Sequence, residues 1–203
     1  MNALAIDTSG NHLTVLLLKG DSVYKSHLSN ALLKHSVTLM PEIEKILEET
    51  NTPLSEIDVF CSAVGPGSFT GIRIGVSTIK ALAYSTGKKV LGVTSFLSLA
   101  YNSDESKVLA VIDAKHDNFY VCGFEDKKVI IPPCFLSLSE VKNLANGYKV
   151  VCDGNIDIPH IKGDYESGFY KAVKDSLPVA SYNVTSLLPL YVKKSQAEEE
   201  RNG

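Results

Sequence analysis

The sequence of 203 residues predicts an α/β fold built from two similar lobes. A set of three short apolar segments joined by polar turns occurs at the start of the chain and again about half-way along it. Stretches with helical apolar spacing follow the first set, and a glycine-rich turn leads into one of them. A meander followed by a helix and a further strand is typical of an α/β lobe, and its repetition indicates two of them.

The repeat aligns without gaps at an offset of 106 residues, which places Asp7 opposite Asp113. Each copy reads as an apolar strand, an Asp turn, a second strand, a polar turn and a third strand, and this order predicts a meander. A fainter match sets residues 59–61 against residues 150–152. The alternative to a duplication is that two unrelated amphipathic hairpins look alike.

We expect the first lobe to span residues 1–102 and a smaller second lobe to span residues 103–203. The second lobe is predicted to be reduced, because the helix after its meander covers only about 138–144 and no glycine-rich segment follows. Whether the end of the chain packs back on the first lobe is left open.

Composition indicates a cytoplasmic protein without a strongly basic face. The formal net charge is −3, so the chain is not expected to bind a polyanion by itself. No stretch has the roughly 18 uninterrupted apolar residues of a membrane helix, and the N-terminus lacks the pattern of a signal peptide. The four cysteines form no Cys-x-x-Cys pair, which favours buried, reduced thiols.

The glycine-rich segment at residues 65–75 follows an apolar strand and leads into a predicted helix. Glycine permits positive φ and close approach, and a helix start offers unpaired N–H groups, so either a phosphate or a tightly packed neighbour suits this geometry. No Gly-Lys-Ser/Thr follows, and Thr70 stands where Gly-x-Gly-x-x-Gly requires its third glycine.

Two helices of the first lobe have broad apolar faces, and Pro41 predicts a disturbance near the start of the first. Each face is expected either to cover the sheet of its own lobe or to form a partner surface. We expect the two faces together to carry the partner interface. The interface residues predicted are Leu39, Ile43, Ile46, Ile72, Val76 and Ile79.

The string from Gly65 to Gly75, Gly-Pro-Gly-Ser-Phe-Thr-Gly-Ile-Arg-Ile-Gly, closely resembles the signature of the TsaB (YeaZ) family. Residues 5–9, 35–41, 111–114 and 189–193 resemble further landmarks of that family, in the same order. The family is the non-catalytic, glycoprotease-like subunit of the bacterial machinery that makes threonylcarbamoyl-adenosine in tRNA. The resemblance implies a two-lobed actin/Hsp70-like ATPase architecture, which is ribonuclease H-like, with a reduced second lobe.

The same resemblance implies an assembly subunit without catalytic residues. It would bind and activate a TsaD-like transferase that modifies the adenosine next to the anticodon, and it would form a homodimer when alone. A TsaE-like small ATPase would be a further partner, tRNA would be contacted only through the complex, and no membrane is involved. This chain would require no cofactor, while partner subunits would use ATP and a metal.

In an actin/Hsp70-like ATPase, the turn after the first strand holds phosphate and a magnesium-bound water, and the alternative here is an Asp turn whose hydroxyls cap backbone amides. Arg73 either binds a phosphate or carboxylate or pins the loop. No metal site is predicted, because no two of the five histidines have helical ligand spacing. The alternative function is a self-sufficient small ATPase or phosphotransferase. The residues of this weak, degenerate nucleotide site are Asp7, Thr8, Ser9, Gly65, Gly67, Ser68 and Arg73.

Overall fold

A computed structural model of the chain describes residues 1–31 and 34–193. The first of its two sheets has the strand order β3-β2-β1-β4-β5. Strands β1 to β3 form an antiparallel meander, and β4 and β5 run parallel to β1. The strands are β1 (Asn2–Asp7), β2 (Leu13–Lys19), β3 (Ser22–Leu28), β4 (Val59–Gly65) and β5 (Lys89–Thr94).

The second sheet repeats this arrangement, with the strand order β8-β7-β6-β9-β10. Its first three strands again form an antiparallel meander, and the last two again run parallel to the first. The strands are β6 (Lys107–Asp113), β7 (Asn118–Glu125), β8 (Lys128–Ser137), β9 (Lys149–Asp153) and β10 (Ile161–Lys162).

The register of the two sheets confirms the duplication. Asp7 ends β1 and Asp113 ends β6, as the offset of 106 requires. In the first sheet Ala5 pairs with Cys61, and in the second Val111 pairs with Cys152, so the fainter sequence match reflects equivalent strands. Two lobes with this strand order have the predicted ribonuclease H-like, actin/Hsp70-like architecture.

Five helices lie in the described part of the chain, and three of them cover the first sheet. On one face, α1 and α2 pack against alternate residues of the strands; on the other, α5 packs against the residues between them. The second sheet has α3 on one face and only the short α4 on the other, so this lobe is reduced as predicted. The helices are α1 (His35–Glu49), α2 (Phe69–Thr86), α3 (Ser95–Ala100), α4 (Leu138–Leu144) and α5 (Tyr165–Ser176).

The segment after α5 also returns to the first sheet. Val90 of β5 pairs with Ser181, and the Leu190 N–H donates to the Val64 carbonyl at 2.7 Å. The boundary between residues 102 and 103 stays a prediction, and residues 194–203 lie outside the described residues. Helix α1 continues through Pro41 as one element that begins at His35.

The prediction of a partner surface made of six apolar residues is wrong. Every one of these side chains is at most 3% exposed, because the face of the first sheet that α1 and α2 share covers them. The small residues of α2 also face the sheet: a Cβ on Gly75 would lie 2.5 Å from Thr8 Oγ1. The six residues are Leu39, Ile43, Ile46, Ile72, Val76 and Ile79.

Candidate functional site

The candidate site lies where the first lobe meets the second, at the carboxyl ends of their central strands. Asp7 ends β1 and is fully buried, and Asp153 ends β9 in the other lobe. Both carboxylates act electrostatically on Tyr165 at the start of α5, and both act on His12 in the turn between β1 and β2. The site therefore joins groups from both lobes.

Asp7 closes an Asp turn. Its Oδ1 accepts from the Ser9 N–H at 2.8 Å and from the Ser9 hydroxyl at 2.6 Å, and the Ser95 hydroxyl donates to Ser9 Oγ at 3.2 Å. The second lobe preserves this turn, since the Lys115 N–H donates to Asp113 Oδ1 at 2.7 Å. The structure shows the Asp turn at residues 7–9, where the carboxylate satisfies a backbone amide, and the phosphate interpretation stays a prediction.

The glycines of the signature let α2 and its preceding loop lie directly on that turn. A Cβ on Gly67 would lie 2.2 Å from the Ser9 carbonyl oxygen, and one on Gly71 would lie 2.0 Å from the Thr8 carbonyl oxygen. The Thr8 hydroxyl donates to the Gly71 carbonyl at 2.7 Å. These contacts are with backbone atoms, so the loop needs glycine for close packing between its own backbone and the turn.

Two amides at the loop and the start of α2 are used within this packing. The Ser68 N–H donates to the Ser9 carbonyl at 2.6 Å, and the Gly71 N–H donates to the Ser68 hydroxyl, which caps α2, at 3.2 Å. Gly65 has φ +102°, a left-handed conformation that glycine adopts without strain. The loop therefore holds the start of α2 against the turn that follows β1.

Five of the seven residues predicted as a nucleotide site come together here. Gly65 faces Ile72 and the Leu190 carbonyl instead. Arg73 does not join them either. Its guanidinium lies 3.7 Å from the centre of the Phe69 ring, and its Nε donates to the Tyr191 hydroxyl at 2.9 Å. Arg73 is exposed on the outer side of α2. The five that meet are Asp7, Thr8, Ser9, Gly67 and Ser68.

The other oxygen of Asp7 faces a histidine that sequence reasoning did not assign to the site. His12 Nε2 lies 3.2 Å from Asp7 Oδ2, and both buried atoms lack any other hydrogen-bond partner among the described residues. Burial alone would raise the pKa of Asp7, but the positive charge of His12 and the bonds from Ser9 hold it below its ordinary value. Burial likewise opposes the charged form of His12, yet the Asp7 and Asp153 carboxylates raise its pKa.

A family model described as TsaD, tRNA N6-adenosine threonylcarbamoyltransferase, matches residues 29–198. The tRNA threonylcarbamoyladenosine biosynthesis protein TsaB of Bacillus subtilis (strain 168) is 32% identical over 133 residues, and that of Escherichia coli (strain K12) is 32% identical over 129. The chain belongs to this family, and within it to the TsaB (YeaZ) group. These matches cover 64% and 62% of the chain and 58% and 55% of the two relatives, so the chain spans less than two thirds of their length.

Solved structures of the TsaB (YeaZ) group share the fold. YeaZ from Pseudomonas aeruginosa superposes with a TM-score of 0.79 at 20% identity, covering 94% of this chain and 99% of that one. A second Pseudomonas aeruginosa structure, described as an uncharacterized protein similar to peptidase YEAZ, gives 0.79 at 21% identity, with 95% and 99% coverage. Within residues 1–31 and 34–193, no helix is long and apolar enough to cross a membrane.

His35, a landmark of the TsaB resemblance, is a structural residue here. It begins α1, is 2% exposed, and its Nε2 donates to the His12 carbonyl at 2.9 Å. A carbonyl can only accept, so this bond places the proton of a neutral His35 on Nε2. His35 therefore ties α1 to the same turn that Asp7 and the glycines stabilise.

Sequence reasoning missed Gly10, His12, Asp153 and Tyr165. A Cβ on Gly10 would lie 2.7 Å from the His12 ring, so glycine there leaves room for the imidazole. A histidine five residues after the strand-ending aspartate was a usable signal for a pair within one turn. Tyr165 carried no such signal, because its contact with His12 spans most of the chain.

The His12–Asp7 pair predicts a window of pH in which this TsaB-group chain is most stable. The pKa of Asp7 lies below its ordinary 3.8 in the fold, so its contribution is present above pH 3.8 and lost as the pH falls through the folded pKa. The pKa of His12 lies above its ordinary 6.5, so its contribution is complete below pH 6.5 and lost as the pH rises through the folded pKa. The charged or titratable groups that face His12 are Asp7, Asp153, His27 and Tyr165.

Denaturant unfolding of the wild type and of His12→Gln between about pH 5 and pH 9 measures this contribution. The free energy of unfolding of the wild type is expected to exceed that of the variant most at the acidic end. This difference in stability is expected to shrink toward pH 9. A difference that stays constant over this range contradicts the assignment of the charge to His12.

Proposed function

We propose that this chain is a non-catalytic subunit in the synthesis of threonylcarbamoyladenosine in tRNA, and that it binds and activates a TsaD-like transferase. Family membership and the names of the relatives support the pathway. The transferase modifies the adenosine next to the anticodon, and this chain supplies a surface on which the transferase is held in its active form.

The observation that carries the non-catalytic role is the use of the glycine signature for internal packing. The carbonyl oxygens of Thr8 and Ser9 lie 2.0 Å and 2.2 Å from where Cβ atoms of Gly71 and Gly67 would be, too close for any side chain. The Ser68 and Gly71 amides donate within the loop and turn. A phosphate-binding loop needs such amides free and directed outward. This geometry therefore favours a loop that holds α2 rigidly in place.

The partner surface that we propose is the outer face of α1 and α2 near their N-termini, defined by Val37, Met40, Phe69 and Arg73. The two starts are neighbours, because His35 of α1 lies against Gly71 in the first turn of α2. Val37 is 67% exposed, Met40 is 40% exposed and Phe69 is 41% exposed. Aromatic, methionine and arginine side chains of this kind are enriched in protein interfaces.

Arg73 is the expected anchor of this partner surface. Stacking on Phe69 and the bond to Tyr191 hold its guanidinium in place before any partner binds. Preorganisation lowers the entropic cost of binding, and the other N–H donors of the guanidinium suit a carboxylate on the partner. Beyond Arg73, the small residues Ser77 and Ala81 lie exposed on α2, which lets a partner helix approach closely.

The remaining partners belong to the same proposal. The chain pairs with a second copy of itself through this surface when alone, so homodimer and heterodimer exclude each other. A TsaE-like ATPase joins the complex, tRNA is contacted only through it, and ATP and a metal are used by the partner subunits. The complex works in the cytoplasm.

Charge insertion into the partner surface tests the proposal. Met40→Glu and Arg73→Glu are expected to weaken binding of the purified TsaD-like transferase by about 30-fold or more, the size of a hot-spot loss of about 2 kcal/mol. Sedimentation of mixtures, and of each variant alone, measures both pairings. Val179→Glu is the matched control, because Val179 is 75% exposed but lies in a turn after α5.

Unchanged affinity of both variants for the transferase would place the interface elsewhere. The alternative, a self-sufficient ATPase or phosphotransferase, is separated by titrating the isolated chain with ATP and magnesium. Micromolar binding accompanied by turnover would contradict the non-catalytic role.

A further inference from the structure

Three aromatic rings form a stack that crosses from the first lobe to α5. His12 lies with its ring centre 5.8 Å from that of His27 on β3 and 4.9 Å from that of Tyr165. The planes are inclined by only 20° and 23°, so the imidazole lies between two nearly parallel rings. His27 is fixed in turn by a contact of 2.9 Å between its Nδ1 and the Thr14 hydroxyl.

The middle ring of the stack pairs with a carboxylate of the first lobe and is attracted by one of the second lobe. Its Nε2 lies 3.2 Å from the buried Asp7 Oδ2, and Asp153 of the second lobe adds a second negative charge. Asp7 and His12 have no other partner for these two atoms among the described residues, so each would be left buried and unpaired without the other. An unpaired buried charge is costly, which makes the arrangement depend on a cation at this point.

The surrounding backbone is shaped for a flat ring. A Cβ on Gly10 would lie 2.7 Å from His12 Cε1 and Nδ1. Any side chain larger than that of glycine would therefore displace the His12 ring. The His12 carbonyl is held by His35 at the start of α1. The pocket is therefore built from three sides by Gly10, His27 and Tyr165, with Asp7 at its polar end.

We propose that the cleft between the lobes is a binding site for a flat aromatic cation, and that the chain fills it permanently with its own His12. The imidazolium pairs with Asp7 of the first lobe, stacks on Tyr165 and is attracted by Asp153 of the second lobe, and it fixes the two lobes relative to each other without a nucleotide. This inference concerns the cleft alone and stands whether or not the chain binds a transferase.

The test removes the ring and returns it as a free molecule. His12→Gly leaves Asp7 and the two flanking rings around an empty space of imidazole shape. Imidazole, added to the full chain near pH 6, is expected to raise the melting temperature of His12→Gly in a saturable manner. Ammonium at the same ionic strength is expected to have a much smaller effect, because it cannot stack between His27 and Tyr165.

The matched control is His160→Gly, which removes an exposed histidine whose Nδ1 lies 2.8 Å from the Ile158 carbonyl oxygen of its own loop. Imidazole is expected to leave the melting temperatures of this variant and of the wild type unchanged. Absence of rescue in a folded His12→Gly chain, or equal stabilisation of the control, would overturn the proposal.

A second measurement covers the case in which His12→Gly does not fold. His12→Gln keeps a hydrogen-bonding group beside Asp7 but removes the ring and the charge. Hydrogen exchange is expected to become several-fold faster on both sides of the cleft, at residues 7–12 and at residues 153–166. Faster exchange confined to residues 7–12 would show that His12 stabilises only its own turn. The proposal that His12 fixes the two lobes relative to each other would then be wrong.

Discussion

Replacing Gly71 with alanine is expected to destabilise the first lobe severely. The new Cβ would lie 2.0 Å from the Thr8 carbonyl oxygen and 3.2 Å from its carbon, and both are backbone atoms of the buried Asp turn. Relief would require α2 to move away from β1 and to break the bond from the Thr8 hydroxyl to the Gly71 carbonyl. Overpacking costs about 1–3 kcal/mol where side chains can adjust. The loss in free energy of unfolding for Gly71→Ala should reach or exceed the upper end of that range, because backbone atoms would have to move.

Denaturant unfolding of Gly71→Ala beside Gly20→Ala measures this effect. Gly20 has φ +60° in the turn between β2 and β3, and a Cβ there would have open space around it. Its replacement is expected to cost only about 1–2 kcal/mol of backbone conformational energy. A Gly71→Ala chain as stable as Gly20→Ala would show that α2 shifts easily, which would remove the main support for the rigid packing of the signature.

The repeat was predictable because it rests on local patterns. Strand alternation and short polar turns set the meander in each lobe, and the Asp turn recurs at the same offset with its backbone bond. Even the weak match of residues 59–61 with residues 150–152 reports equivalent pairing partners in the two sheets. Such features depend on neighbours along the chain, so they can be derived without knowledge of tertiary contacts.

The partner surface was misplaced because an apolar stripe does not reveal what covers it. The faces of α1 and α2 are as apolar as predicted, but they are buried in the core that they share with the first sheet. The opposite face of that sheet receives α5, a helix contributed by the second half of the chain. Residues outside this core, such as Met40 and Phe69, flank the main apolar stripe, and the sequence prediction did not assign them to the interface.

The prediction of the nucleotide site was limited in a similar way, because the sequence identifies local motifs but not the residues that pack beside them. The sequence identified a turn and a glycine-rich loop, and the structure brings them into contact with each other. What occupies the space beside Asp7 depends on Gly10, His12 and Tyr165, whose meeting is a tertiary event. No spacing rule predicts an imidazole held between a carboxylate of one lobe and a tyrosine of the other.

The two aspartates of the repeat provide an internal comparison. Asp7 and Asp113 occupy equivalent positions and accept the same backbone bond, at 2.8 Å and 2.7 Å. Their surroundings differ: the Asp7 side chain is fully buried with His12, whereas that of Asp113 is 27% exposed and pairs with Lys115, which is 76% exposed. The same substitution at both positions therefore separates the effect of burial from that of the turn.

Asp7→Ala is expected to lower the free energy of unfolding by about 3–5 kcal/mol, because it leaves His12 without its counter-ion in a buried site. Asp113→Ala is expected to cost about 1 kcal/mol or less beyond the lost turn bond, since solvent replaces an exposed pair. Denaturant unfolding of both variants at about pH 6, where His12 is charged, gives the comparison. Raising the pH should reduce the difference in destabilisation between the two variants, because a neutral His12 needs no counter-ion when Asp7 is removed. Equal losses at the two positions would mean that the turn alone accounts for the role of Asp7, and the cleft would then hold no essential ion pair.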